Sequence, residues 1–269
     1  MTYFGFLALF LGIPLIVLGW QFAQDQRAKR TLPETLQNWS PLGILVAHIL
    51  VALIYTTPWD NYLVARRVWW YDPNLVTGII FGWVPIEEYT FFVLQPLFTG
   101  LWLIVWARRL NPAPPLKSDY ASIRQRLVLL LGLLWAGMAS ILIGQWLPGT
   151  YLALELVWAL PPIMLQLGFG ADILWRHRRL VLLGLVPTTL YLSAADALAI
   201  TSGTWTINPA LSLQIYLGGI LPIEEFIFFA LTNILITFGM VLVMSRESQT
   251  RFETLLRSRP SWLLSSEKH

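Results

Sequence analysis

The chain has 269 residues, 56% of them hydrophobic and only 12% charged, with a mean hydropathy of +0.61. A soluble domain of this length carries about a quarter charged residues, so that class is excluded, and a net charge of +3 is no nucleic-acid signal. The absence of cysteine excludes disulfides, thiolate chemistry and Cys-ligated metal or iron–sulfur sites.

In chain order, the apolar runs predict seven membrane-crossing helices, over 3–21, 41–57, 77–106, 126–147, 151–174, 180–199 and 213–244. A bilayer takes about 20 helical residues to cross. A transmembrane β-barrel would show short alternating segments instead, so the expected class is an all-α polytopic membrane protein. The first run starts almost at Met1, with no basic leader and no cleavage site, and reads as a retained helix. The third and seventh runs are too long for a plain span. Pro85 and Pro222 interrupt them, which predicts a bend or a half-helix break at each.

Basic residues set the orientation. Arg27, Lys29 and Arg30 follow the first run; Arg108, Arg109, Lys117, Arg124 and Arg126 follow the third; Arg176, Arg178 and Arg179 follow the fifth. With five more in the tail (Arg246, Arg251, Arg257, Arg259 and Lys268), 16 of the 18 Lys and Arg fall on one side, leaving only Arg66 and Arg67 opposite. The positive-inside rule then puts the N-terminus outside and the C-terminus in the cytoplasm, in a membrane such as the bacterial inner membrane. The tail 246–269 is basic and partly amphipathic, and is expected to lie on anionic lipid.

The chain repeats itself. "WVPIEEYTFFVL" at 83–94 returns as "ILPIEEFIFFAL" at 220–231. Asp60 stands 27 residues before Glu87, and Asp196 stands 28 before Glu224; Tyr3 and Tyr151 each stand 11 before a proline, Pro14 and Pro162. Trp70 and Trp205 are read as matched tryptophans. The expected organisation is a three-helix unit over 1–107, a loop and linking span over 108–148, a second unit over 149–245, and the tail. An extra span between two odd-numbered units returns the chain to its starting side. The units then insert parallel and face each other across an axis along the membrane normal.

Each copy places two glutamates in an apolar run, where an ionisable residue costs about 2.5–3.5 kcal/mol on insertion scales. A close set of carboxyls, short of water and mutually repelling, does not ionise all together. A protonated carboxyl beside an ionised one is an acid–base couple. The amides of a helix start oppose this by favouring the anion. Successive helical residues point about 100° apart, so within each pair one carboxyl is expected to act and the other to orient or pack. Phe91 and Phe92, and again Phe228 and Phe229, follow the glutamates by one turn, offering apolar walls and ring faces that stabilise cations. Acid, base and aromatic lining suit carbocation chemistry on a polyene. His48 is read as a hydrogen-bonded packing residue, and Glu155 is unmatched and unassigned. No G-x-G-x-x-G follows a strand, no P-loop occurs, and no aspartate cluster suits a Mg²⁺-diphosphate.

Two PIEE-x-x-FF segments, each preceded by an Asp and a Trp, in seven spans, resemble the membrane-integral carotenoid (lycopene) cyclases in a fused form. The resemblance implies redox-neutral closure of acyclic carotenoid ends to β-type rings, with no cofactor and no metal. It places the family's acidic motif on Glu87, Glu88, Glu224 and Glu225, with Asp60 and Asp196 as upstream partners. Phe91, Phe92, Phe228, Phe229, Trp70 and Trp205 become candidate substrate contacts. The expected partners are a carotenoid such as lycopene and the lipid bilayer. Rival readings are a cyclase of C50 carotenoids or of ε- or γ-rings, a carotenoid hydratase, and a proton-coupled carrier.

Overall fold

The computed structural model describes residues 1–113 and 120–257. Lys117, Arg259 and Lys268, counted above for orientation, lie outside the described residues. Among the described residues, seven helices are long and apolar enough to cross a membrane. The protein is an all-α integral membrane protein. Span 1 is Tyr3–Arg27, with one π turn over Ala8–Gly12. Span 2 is Pro41–Ala65, span 3 Ile86–Ala107, span 4 Ala121–Ile143, span 5 Thr150–Arg176, span 6 Arg178–Thr201 and span 7 Ile223–Met244.

Residues 77–85 and 213–222 are not helical, which corrects the predicted starts of spans 3 and 7. Strand β2 (Ile80–Phe81) folds back on β3 (Val84–Pro85), and β5 (Tyr216–Leu217) on β6 (Leu221–Pro222). Glycine makes each reversal. Gly82 has φ +69°, and a Cβ there would lie 2.2 Å from Asn61 Oδ1; Gly219 has φ +75°. Only glycine takes such a conformation without strain. Each proline then ends its ribbon, and the helix starts one residue later. A third ribbon joins β1 (Trp69–Tyr71) to β4 (Trp205–Ile207), antiparallel, with Trp70 opposite Thr206. It crosses between the two halves of the chain and roofs one end of the bundle.

Spans 3 and 7 form the middle. Of their apolar windows, 61% and 56% are buried, against none for span 4. Span 4 lies outside, against span 5, where Trp135 Nε1 donates to the Val157 carbonyl. Lipid gives two apolar helices little reason to associate, so small-residue packing and hydrogen bonds carry that task. Asn233 supplies the bonds here. Its Oδ1 accepts from Gln95 Nε2 (2.9 Å) and Thr99 Oγ1 (2.7 Å), while its Nδ2 donates to Thr189 Oγ1 (3.1 Å). One buried amide thus ties spans 3, 6 and 7. Asn233→Leu removes the acceptor of two buried donors and is expected to cost about 1–3 kcal/mol. The check is the melting midpoint in detergent, and an unchanged midpoint would refute the structural role.

The opposite end of the bundle holds the described basic residues other than Arg66 and Arg67. Asp25 pairs with Arg30 (3.2 Å) and Arg109 (2.9 Å), and Asp172 with Arg124 (3.1 Å) and Arg251 (2.5 Å). Arg251 lies on the helix Arg246–Arg257, which Arg176 also grips through Glu247. The tail helix is therefore docked on the bundle and presents Phe252 and Leu256 outward.

Candidate active site

The first turns of spans 3 and 7 carry the paired glutamates, all four buried. Each pair divides its work in the same way. Glu87 Oε1 accepts the backbone N–H of Thr77, and Glu224 Oε1 that of Leu213, both at 2.6 Å. These two carboxylates hold the segments that lead into their helices. Glu88 and Glu225 turn the other way, into a common cavity of about 50 Å³ under the β1–β4 ribbon.

Tyrosines meet them. Tyr3 donates to Glu88 Oε2 at 2.5 Å and Tyr71 donates to the same oxygen at 2.9 Å. Across the cavity Tyr151 donates to Glu225 Oε1 at 2.7 Å. Burial, with the Asp60 and Glu88 carboxyls beside it, pushes the Tyr71 hydroxyl well above its usual range, so it stays a donor. Asp60 and Asp196 line the same cavity. Asp196 Oδ1 accepts from Trp205 Nε1 at 2.9 Å, whereas Trp69 Nε1 donates to Tyr71 at 3.2 Å. One oxygen of each aspartate is buried without a hydrogen-bond partner among the described residues.

Aromatic rings make the walls. Trp59 stacks on Phe228 with centroids 6.0 Å apart, and Phe91 meets Phe229 edge-on at 6.2 Å. Tyr3 packs on Trp205 at 4.9 Å, and Trp69 on Tyr151 at 5.2 Å. Phe91, Phe92, Phe228, Phe229 and Trp205, all singled out from the sequence, line the cavity. Trp70 does not. In a strand, successive side chains point to opposite faces, so Trp69 and Tyr71 face inward and Trp70 faces away. The register pairs Trp69 with Ile207 and Tyr71 with Trp205, so the tryptophan matched to Trp205 is Trp69, one residue from the expected one.

Sequence reasoning passed over Tyr3, Tyr71, Tyr151, Trp59 and Trp69. For Tyr3 and Tyr151 a signal existed in their equal spacing to Pro14 and Pro162. Glu155 is fully buried behind Tyr151, and neither of its oxygens has a hydrogen-bond partner among the described residues. His48 Nδ1 lies 2.8 Å from the Ile44 carbonyl, away from the cavity.

Comparison with known proteins bears on this arrangement. A sequence model of the family described as lycopene cyclase matches residues 1–106 and 148–243. The chain belongs to the lycopene cyclase family. A lycopene beta-cyclase of Halobacterium salinarum is 38% identical over 244 residues, covering 90% of this chain and 95% of its own. A bifunctional lycopene cyclase/phytoene synthase of Aspergillus oryzae is 32% identical over 213 residues, which is 78% of this chain and 35% of that one. The corresponding Podospora anserina protein is 36% identical over 203 residues, 72% of this chain and 34% of its own. No solved structure matches. Each matched segment of this lycopene cyclase contains one tyrosine-bonded glutamate and one aspartate of the cavity.

Proposed function

We propose that this lycopene cyclase closes the acyclic ψ end of a carotenoid such as lycopene to a β-type ring, in the single cavity that Glu88, Glu225, Asp60 and Asp196 share. The observation that carries the reading is convergence. Four carboxyls from matched places in two units, 1–107 and 149–245, face one aromatic-walled space. A repeat over these units is supported by matched backbone bonds. Tyr3 N–H donates to Leu75 O and Tyr151 N–H to Leu211 O; Ile86 N–H donates to Ile79 O and Ile223 N–H to Ile215 O.

The carboxyls are assigned different roles because their surroundings differ. Glu88 Oε2 accepts two hydroxyl donors and takes the role of base. Glu225 accepts one, has a second carboxyl, Glu155, nearby, and takes the role of acid. Glu225 protonates C2 of the terminal C1=C2 bond, leaving a tertiary cation at C1. The C5=C6 bond attacks C1, a six-membered ring closes, and the cation passes to C5. Glu88 removes the proton on C6, and the electrons of that C–H bond restore C5=C6. One proton enters and one leaves, so the chemistry calls for no redox partner. The proton then returns from Glu88 to Glu225 across the cavity, with Asp60 and Asp196 as polar groups on the way.

Trp59 and the four phenylalanines face the cation with ring electrons and keep out the water that would trap it as an alcohol. The N-terminus lies outside and the C-terminus in the cytoplasm, a reading supported by the basic loops at the end opposite the cavity. Expression in a lycopene-accumulating bacterium tests the function. The expected product carries rings and has the mass of lycopene. A product heavier by one water would mean that water captures the cation, and unchanged lycopene would refute the cyclase reading.

A further inference from the structure

A second, larger space adjoins the acidic cavity. It is a groove of about 430 Å³ between spans 2, 3, 5 and 7, with almost wholly apolar walls. It shares Phe91, Phe92 and Phe228 with the cavity, so those three rings stand where the two adjoin. We propose that this groove holds the polyene chain of the substrate and that its mouth, between spans 2 and 5, is the entrance from the lipid. The proposal rests on the cyclase reading and adds where the substrate lies and how it arrives.

Size decides first. The acidic cavity, at about 50 Å³, is several times smaller than the groove, at about 430 Å³. It leaves no room for the long chain that trails behind a reacting end group. The reacting end therefore has to come in past the shared phenylalanines, and the groove is the space behind them. Its volume falls within the roughly 300–1,000 Å³ of small-molecule sites. From Phe228 to Ile236, both on its wall, span 7 rises about 12 Å at 1.5 Å per residue. Along span 7 the groove thus reaches about 12 Å from the shared Phe228, a direction in which a polyene chain can extend.

Its mouth is on the lipid side. Val51 of span 2 and Leu165 of span 5 line the groove and are 62% and 76% exposed. Above them the two spans are tied together. Tyr55 donates to the Trp158 carbonyl at 2.8 Å, and Trp59 Nε1 to the Leu154 carbonyl at 3.1 Å. These ties seal the roof and leave the lower part open.

The matched face, between spans 1 and 6, is built differently. Tyr191 donates to the Phe10 carbonyl at 3.0 Å, the counterpart of the Tyr55–Trp158 bond. Beneath it, Phe98 packs on Tyr191 with centroids 5.4 Å apart, and Leu11 and Leu192 are buried. The place of Phe98 in span 3 is taken in span 7 by the smaller Leu235, which lines the groove. One face is filled by an aromatic plug where the other is open.

The test is turnover in proteoliposomes of a full-length acyclic C40 carotenoid and of a shorter acyclic polyene with the same end group. Ala47→Trp fills the end of the groove away from the cavity. It is expected to lower turnover of the long substrate at least tenfold and of the short one less than twofold. Val51→Trp, at a largely exposed position at the mouth, is expected to slow entry of both at least threefold. Val186→Trp, on the surface of span 6, is expected to stay within twofold on both. Equal loss on the two substrates in Ala47→Trp would place the chain elsewhere. Wild-type turnover in Ala47→Trp and Val51→Trp would mean that the groove holds only lipid acyl chains. A wild-type protein that forms no ring would refute the cyclase reading itself, a result distinct from either.

Discussion

Glu88→Gln and Glu225→Gln are each expected to abolish ring formation, by about 10²–10⁴-fold, the usual worth of a positioned acid or base. Glutamine keeps the shape and can still accept the tyrosine hydroxyls, so protein accumulation in the membrane should stay near normal. What it cannot do is give or take the proton. Glu87→Gln and Glu224→Gln are expected to be milder, within about tenfold. A glutamine carbonyl can still accept the Thr77 or Leu213 N–H that these residues hold at 2.6 Å. The contrast inside each pair is the informative quantity, since four equal losses would indicate a structural site. Conversion of lycopene measured per unit of membrane protein decides it. Wild-type conversion by Glu88→Gln would end the assignment of Glu88 as base.

That contrast also marks where the sequence stops being legible. Duplicated glutamates in an apolar run announce a site, and their roughly 100° separation on a helix says that only one of each pair faces inward. Which one does depends on how the helix is rotated against the rest of the bundle, and no local pattern records that. The same holds for Tyr3, 85 residues from the carboxylate it serves. The seven spans were legible because bilayer thickness sets their length. The starts of spans 3 and 7 were not. Residues 76–84 and 212–220 are as apolar as a helix, and hydropathy cannot tell a ribbon turned by Gly82 or Gly219 from another helical turn. Trp70 was misplaced for a smaller reason. A three-residue strand is too short to show its alternation, so adjacent tryptophans at 69 and 70 gave no choice between faces. Asp60 and Asp196, by contrast, were found through spacing alone and do line the cavity with Glu88 and Glu225.

The two units are expected to be inactive when separated. Cutting the chain between spans 3 and 4, to give 1–119 and 120–269, leaves span 4 to start the second piece on the side its partner requires. Each piece keeps its own Tyr–Glu pair, yet neither keeps a closed cavity. The roof is a ribbon with one strand from each piece, Trp69–Tyr71 against Trp205–Ile207. The walls meet across the divide, Tyr3 on Trp205 and Trp69 on Tyr151. The Asn233 amide binds Gln95 and Thr99 of the other piece. A lone piece would therefore open its carboxyls to lipid and water, where a cation is quenched and no second carboxyl stands opposite. Either piece alone is expected to give less than about a hundredth of full-chain conversion, a loss within the range assigned to one acid–base partner. Co-expression is expected to recover measurable activity, because the ribbon, the aromatic contacts and the amide network are non-covalent and can re-form. In the intact chain, Glu88→Gln should suppress the first and second rings alike. A lone piece that cyclises lycopene, or a Glu88→Gln enzyme that stops cleanly at one ring, would mean two independent centres.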